Sequence, residues 1–289
     1  IGVRLVGSEM CIRDRANYTA QDVKALREKS GAGMMDCKGA LDEANGDIEK
    51  AFEVLRLKGL KGVSKREGRT TSNGLVVSRI SGETGLLIEL ACETDFVAKA
   101  ENFVVLADQV ADAISAAGAT TVEEALAAPL DGATVADSIT DKAAIMGEKV
   151  ELRKVEVISA PGIDAYLHRT SKDLPPQVGV LLGYEGSDAE TAHDIAVHIA
   201  AFSPVYLSRE DVPEQVVTQE REIAAETARN EGKPEAALDK IVEGRVTGFF
   251  KETCLLDQAF AKDSKQSVAQ VAKAAGLTIT GFTRLRVGV

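Results

Sequence analysis

Two apolar runs, Leu75-Val76-Val77-Ser78-Arg79-Ile80 and Leu86-Leu87-Ile88-Glu89-Leu90, flank the turn-rich segment Ser81-Gly82-Glu83-Thr84-Gly85. Short aliphatic runs on either side of a glycine-containing turn predict an antiparallel hairpin. Past Cys92 the periodicity changes: Phe103, Ala107, Val110 and Ile114 recur at helical spacing, so a long amphipathic helix is expected to follow the second strand. A lone hairpin cannot bury its faces, which forces that helix onto one side of a small sheet. The unit is therefore α+β. Thr94 falls at the expected N-cap, where its hydroxyl accepts a backbone N–H of the first turn, and Asp95, Phe96 and Val97 occupy that turn.

The same order recurs further along, with strands at Ala165–His168 and Val178–Leu182 and a helix at Ala189–Phe202. Between the two units lie short helices near Val122–Ala127 and Val135–Met146, and a strand at Val150–Ser159. A second helical stretch follows Pro213, turns at Asn230-Glu231-Gly232-Lys233-Pro234, and returns on a stripe of Leu238, Ile241, Val242, Val246 and Phe249. This predicts an antiparallel helical hairpin within the second unit. A helix over Val268–Ala275 and a strand over Thr278–Val287 are expected to rejoin the second sheet. Ahead of everything, three short helices end on the stripe Ile48, Ala51, Phe52 and Leu55. The domain plan is a leader at 1–15, a three-helix bundle at 16–60, a linker at 61–72, one α+β subdomain at 73–160 and another at 161–289 carrying the helical hairpin at 210–257.

Composition excludes several classes. The net charge of −11 opposes a general nucleic-acid binder, whose phosphate contacts need clustered Lys and Arg. The basic run Arg56, Lys58, Lys61, Lys65, Arg66 and Arg69 reads as a solvated linker. Cys11, Cys37, Cys92 and Cys254 lack paired spacing, which fits reduced thiols in a cytoplasmic protein rather than a disulfide framework or zinc site. No apolar run reaches membrane-span length. No P-loop, zincin or nucleophile-elbow signature is present, so no cofactor, metal or catalytic residue is expected. The leader through Arg15 is apolar and basic without periodicity, resembles translated sequencing-adapter contamination, and is expected to be non-native.

Two segments carry a family resemblance: Cys92-Glu93-Thr94-Asp95-Phe96-Val97-Ala98-Lys99 and Gly31-Ala32-Gly33-Met34-Met35-Asp36-Cys37-Lys38. Together with Met146-Gly147-Glu148, His198-Ile199-Ala200-Ala201 and Thr280-Gly281-Phe282, they resemble the bacterial and organellar translation elongation factor Ts family. The resemblance runs from Asn17 to Val289. It implies a ubiquitin-associated-like N-terminal bundle followed by the two α+β subdomains with small antiparallel sheets. It also implies a guanine-nucleotide exchange factor for elongation factor Tu, acting during translation elongation without being an enzyme. By the same match Thr94, Asp95, Phe96 and Val97 disturb the GTPase's Mg²⁺ and phosphate site. Met34, Met35, Asp36, Lys38, Met146, Gly147 and His168 supply further contacts. The family's apolar contact before the last helix is replaced here by Ala261-Lys262.

The residues alone leave Phe96 open to a second reading. Phe96, Phe103 and Val110 stand seven apart, the spacing of a core stripe, and Phe is usually buried. Competing functional classes are a peptide- or ribosome-binding adaptor built on the bundle, and an unrecognised α+β enzyme. The helical hairpin is a candidate for homodimer formation, including a 2:2 complex with the GTPase.

Overall fold

The computed structural model describes residues 17–289, without the side chains of residues 60, 61 and 63–65; the leader expected at 1–15 lies outside it. The chain opens with α1 (Ala20–Ser30), α2 (Met34–Glu43) and α3 (Ile48–Arg66). Thr19 and Asp22 cap α1 reciprocally, and Asp47 Oδ1 accepts the N–H groups of Glu49 and Lys50 at 3.1 Å to start α3. Leu26, Cys37, Leu41, Ala51 and Leu55 fill the small core between them. The third helix runs on to Arg66, into the stretch expected to be a linker. Only the residues after it are irregular.

The first sheet has the strand order β1 (Asn73–Ser81), β2 (Thr84–Cys92) and later β5, all antiparallel. After β2 come α4 (Asp95–Ala98) and α5 (Glu101–Ala117), then α6 (Val122–Ala127), the two-residue strands β3 (Pro129–Leu130) and β4 (Ala133–Thr134), α7 (Val135–Met146) and β5 (Val150–Ser159). The single long helix expected after β2 is thus two helices with a break at Lys99-Ala100. Leu86, Ile88 and Leu90 of β2 face Phe103, Leu106, Val110 and Ile114 of α5, with Ile139 and Met146 of α7 completing the core.

The bundle is seated on this unit through a close helix crossing. A Cβ added at Gly59 would lie 1.7 Å from the Ala144 carbonyl oxygen, so α3 and α7 touch backbone to backbone. Arg56 Nη2 reaches Asp141 Oδ2 at 2.6 Å beside the crossing, and Asn102 Nδ2 donates to Ser30 O at 2.7 Å.

The second sheet repeats the plan. It comprises β6 (Gly162–His168), β7 (Val178–Glu185) and, after α8 (Ala189–Phe202), α9 (Glu214–Asn230), α10 (Leu238–Thr253), β8 (Ala259–Phe260), β9 (Asp263–Ser267) and α11 (Val268–Ala274), the strand β10 (Thr278–Arg286). Its order is β10-β7-β6, so β7 is central as β2 is in the first sheet. Val180 and Leu182 pack on Ile195 and Ile199 of α8 and on Val268 of α11. Helices α9 and α10 form the expected antiparallel hairpin, each about 25 Å long by helical rise.

Val76, Leu87, Leu181 and Leu285 make a third apolar layer between the two sheets. Helix, sheet, sheet, helix is the resulting order of layers. At the margin of this layer a β-bulge at Arg153 turns its guanidinium onto the buried Glu89, Nη1 to Oε1 at 2.9 Å, and Gly288 N donates to the same oxygen at 3.1 Å. Arg153 also bonds Thr71 and, at 3.1 Å, Glu151. Burial of Glu151 opposes its ionisation, but hydrogen bonds from Lys149, Thr71 and Arg153 outweigh burial and hold the carboxyl at about 2 against an ordinary 4.5.

Two predictions follow from this packing. Gly59→Ala forces α3 off α7 and is expected to cost about 1–3 kcal/mol, the range for overpacked sites, read as a lower urea midpoint or faster proteolysis between residues 66 and 73. Because Glu151 is depressed in the folded chain, its stabilisation is present above 4.5 and is lost as pH falls through about 2. Urea midpoints across that window are expected to fall less steeply in Glu151→Gln than in the parent.

Candidate functional site

The strand β2 ends at Cys92, which is paired on one side with Asn73 and on the other with Val150, so the next residues leave the sheet at its edge. Thr94 is extended (φ −120°, ψ 157°) and caps α4, its Oγ1 accepting the Val97 N–H at 3.4 Å. Val97 and Ala98 turn inward and are buried in the first core. That leaves Phe96 facing out, 64% exposed, while Phe103 and Val110 are fully buried. The core reading of Phe96 fails because the break at Lys99-Ala100 resets the helical phase between the two aromatics.

The corner around the ring is braced. Thr94 Oγ1 donates to Glu148 Oε1 at 2.6 Å and Thr94 N to Glu148 Oε2 at 3.0 Å. One residue back, Glu93 Oε1 accepts the Lys149 N–H at 2.6 Å, and Asn73 Nδ2 donates to the Glu93 carbonyl at 2.9 Å. The Cys92 thiol lies beneath, donating to Thr94 O at 3.3 Å; burial, reinforced by the Glu148 charge, pushes its pKa far up, so the thiolate is suppressed. Lys99 Nζ sits 4.6 Å over the Phe96 ring and 3.1 Å from Asp95 Oδ2. Exposed contacts of these kinds contribute about 0.3–1 kcal/mol each, so they orient the ring without sequestering it.

Met34 and Met35 are exposed at the start of α2, as are Asp36 and Lys38. A cleft of about 260 Å³ brings Met35 and Asp36 of α2 to Gly147 after α7, with Lys58, Gly59 and Arg66 of α3 along its wall. Glu148, which follows Gly147 directly, connects this cleft to the Phe96 corner through its bonds to Thr94. Met146 departs from expectation: its side chain is buried in the first core, because it continues the inward stripe Val135, Ile139 and Ala143 of α7. His168 stands elsewhere, at the exposed end of β6, with Tyr166 Oη 3.1 Å from its Nδ1. Among the described residues no hydrogen bond links it to the Phe96 corner.

Ala261 and Lys262 lie in the turn between β8 and β9. The Ala261 N–H donates to His198 Nδ1 at 3.2 Å, and Lys262 Nζ pairs with Asp194 Oδ2 at 2.5 Å. His198 is fully buried; burial lowers its pKa against the opposing Gln258 contact, and it stacks on Phe202 with centroids 4.5 Å apart. Sequence reasoning missed Glu148, Glu93 and Lys99 as parts of the corner. The first two act across more than fifty positions of chain, a separation that local spacing does not encode. The Asp95/Lys99 spacing of four was visible and is the helical ion-pair signal. Among the described residues no cluster of His, Cys, Asp and Glu is arranged to hold a metal, and no helix is long and apolar enough to cross a membrane.

Comparison with known proteins gives these features a context. Residues 93–289 match the family model described as Elongation factor TS. The chain is 60% identical over 276 residues to Elongation factor Ts of Micrococcus luteus, covering 94% of this chain and 99% of that protein. It is 58% identical over 276 residues to Elongation factor Ts of Paenarthrobacter aurescens and 60% identical over 273 residues to that of Clavibacter michiganensis, with the same coverage of both chains. With the matched segment running from the Phe96 corner through β5 and the whole second sheet, and with relatives aligned almost end to end, this chain belongs to the elongation factor Ts family.

Proposed function

We propose that this chain is a guanine-nucleotide exchange factor, not a catalytic enzyme, which binds elongation factor Tu in the cytoplasm and speeds release of its GDP. Family membership makes it a translation elongation factor. The observation that carries the finer reading is the exposed Phe96 ring on a corner whose backbone is fixed from both sides. A large apolar side chain held out this way has no use to its own fold. It is suited to entering an apolar crevice of another protein.

The chemistry needed is displacement. In GTPases a bound Mg²⁺ and oriented N–H groups neutralise the charge of the nucleotide phosphates. Phe96 wedged near that site shifts the groups that order the metal, and Asp95 brings a negative charge beside it. The phosphates then lose their compensation. Burying one Phe supplies roughly 1.5–3 kcal/mol, whereas a nanomolar nucleotide is held by about 12 kcal/mol, so a wide surface must contribute. Met35, Asp36 and Gly147, which line one cleft, and Met34 and Lys38 beside them on α2 are assigned to that surface; His168 is assigned to a separate contact on the second unit. Met146 is assigned to support of Gly147 from inside the core. Coupling of this kind is reciprocal, so nucleotide weakens binding of this chain by the same factor.

The test is release of labelled GDP from elongation factor Tu with and without the chain. Phe96→Ala is expected to slow the stimulated release by about one to two orders of magnitude, from the energy of one buried Phe, with an unchanged melting temperature. Equal release rates for parent and variant would remove Phe96 from the mechanism.

A further inference from the structure

We propose that Glu148 is the positioning residue of the Phe96 corner, supplying from a distant loop the half of a capping box that α4 cannot carry itself. The proposal rests on the exchange-factor reading for its consequence in nucleotide release, but not for its structural claim.

Among the described residues four other α-helices are capped reciprocally by a local pair: Thr19 with Asp22, Thr121 with Glu124, Thr134 with Asp137 and Ser267 with Gln270. In each, the third helical residue returns an acceptor to the N–H of the capping residue. At α4 the cap is Thr94 and the third residue is Val97, which has no acceptor and is buried in the core. Val97 must be apolar, since it anchors a helix of one turn whose neighbour Phe96 faces outward. The acceptor comes instead from Glu148, whose two carboxylate oxygens take the Thr94 hydroxyl at 2.6 Å and the Thr94 N–H at 3.0 Å.

One turn of helix has almost no stability of its own, because fixing its dihedrals is not offset by enough hydrogen bonds. The orientation of Phe96 therefore depends on what holds the cap. Charge-assisted bonds to a carboxylate are the strong kind, and the adjacent Lys149 N–H to Glu93 bond at 2.6 Å keeps the Glu148 loop in register with the corner. Glu148 follows Gly147 directly, so the loop that lines the cleft beside Met35 also sets the ring.

The experiment compares Glu148→Ala with the parent in two measurements. Amide hydrogen exchange of the free chain reads the corner alone: the Ala98 and Lys99 N–H groups, bonded to Thr94 O and Asp95 O at 3.1 and 3.2 Å, are expected to exchange about tenfold faster, the lower end of the loss for bonds to a charged group. GDP release from elongation factor Tu is expected to show a maximal rate lowered by about tenfold, with the half-saturating concentration little changed. Glu148→Gln, which keeps an acceptor for Thr94, recovers most of that rate. In a Phe96→Ala background, Glu148→Ala adds no further slowing, because the two act as one unit. Unchanged amide exchange overturns the proposal, as does an undiminished loss in the Phe96→Ala background, which would mean direct contact of Glu148 with the GTPase. If the parent chain itself does not speed GDP release, the exchange-factor reading fails, while amide exchange still decides whether Glu148 holds the corner. Should Glu148→Ala not fold, Glu148→Asp, one methylene too short, carries the same comparisons.

Discussion

Gly179 lies where two sheets press together: a Cβ there would come within 2.6 Å of Val76 Cγ1 and 2.8 Å of Leu87 Cδ1. The absence of a side chain on the second sheet lets the first approach closely enough for Val76, Leu87, Leu181 and Leu285 to close a dry layer. Everything else hangs from this contact. It buries the second face of β2, so that strand is fixed on both sides as well as along both edges. A strand so constrained can deliver the residues that follow it, Glu93 and Thr94, to a fixed place at the sheet edge. Glu89, a buried charge on that face, is held by Arg153 and the Gly288 N–H, at the cost of a second oxygen, Oε2, buried without a hydrogen-bond partner among the described residues.

The way Phe96 is displayed follows from small decisions in the backbone. A helix continuing unbroken from Thr94 into α5 would carry Phe96 round to the same face as Phe103 and bury it. The interruption at Lys99-Ala100 instead lets Val97 and Ala98 serve as the inward pair and sets the ring free. The stabilising contacts on the ring itself are weak, while those on the backbone beneath it are strong. An interaction element needs that division: a preorganised base lowers the ordering cost of association, and a lightly held side chain is available to the partner.

Much of this was legible in the chain. The hairpin of β1 and β2 is written in Leu75–Ile80 and Leu86–Leu90 around a glycine turn, and Leu87 beside Leu86 and Ile88 already shows a strand without a wet face. The start of α6 is written locally, in the capping-box spacing of Thr121 and Glu124. Three things were not. The residues 61–66 look like linker because their helix is decided by docking of Gly59 against α7, which no local pattern records. Met146 is a contact residue by the family match, which carries no information on burial, yet it continues the stripe Val135, Ile139 and Ala143 into the first core. Val150–Ser159 reads as a strand, but its place as the third strand of the first sheet, and the bulge that aims Arg153, depend on pairing partners far away in the chain.

The second half repeats the element order of the first, since each runs through a hairpin, a covering helix, a miniature hairpin, a capped helix and a closing strand. Each half therefore owns a junction where its central strand hands over to a helix. In the second half that junction is Glu185-Gly186-Ser187-Asp188, with Asp188 capping α8 and Ala189, Glu190 and Thr191 following it. It is blunt: nothing aromatic projects. Any partner that takes the Phe96 ring therefore meets it at one junction alone, and the matching junction of the other half offers it no aromatic.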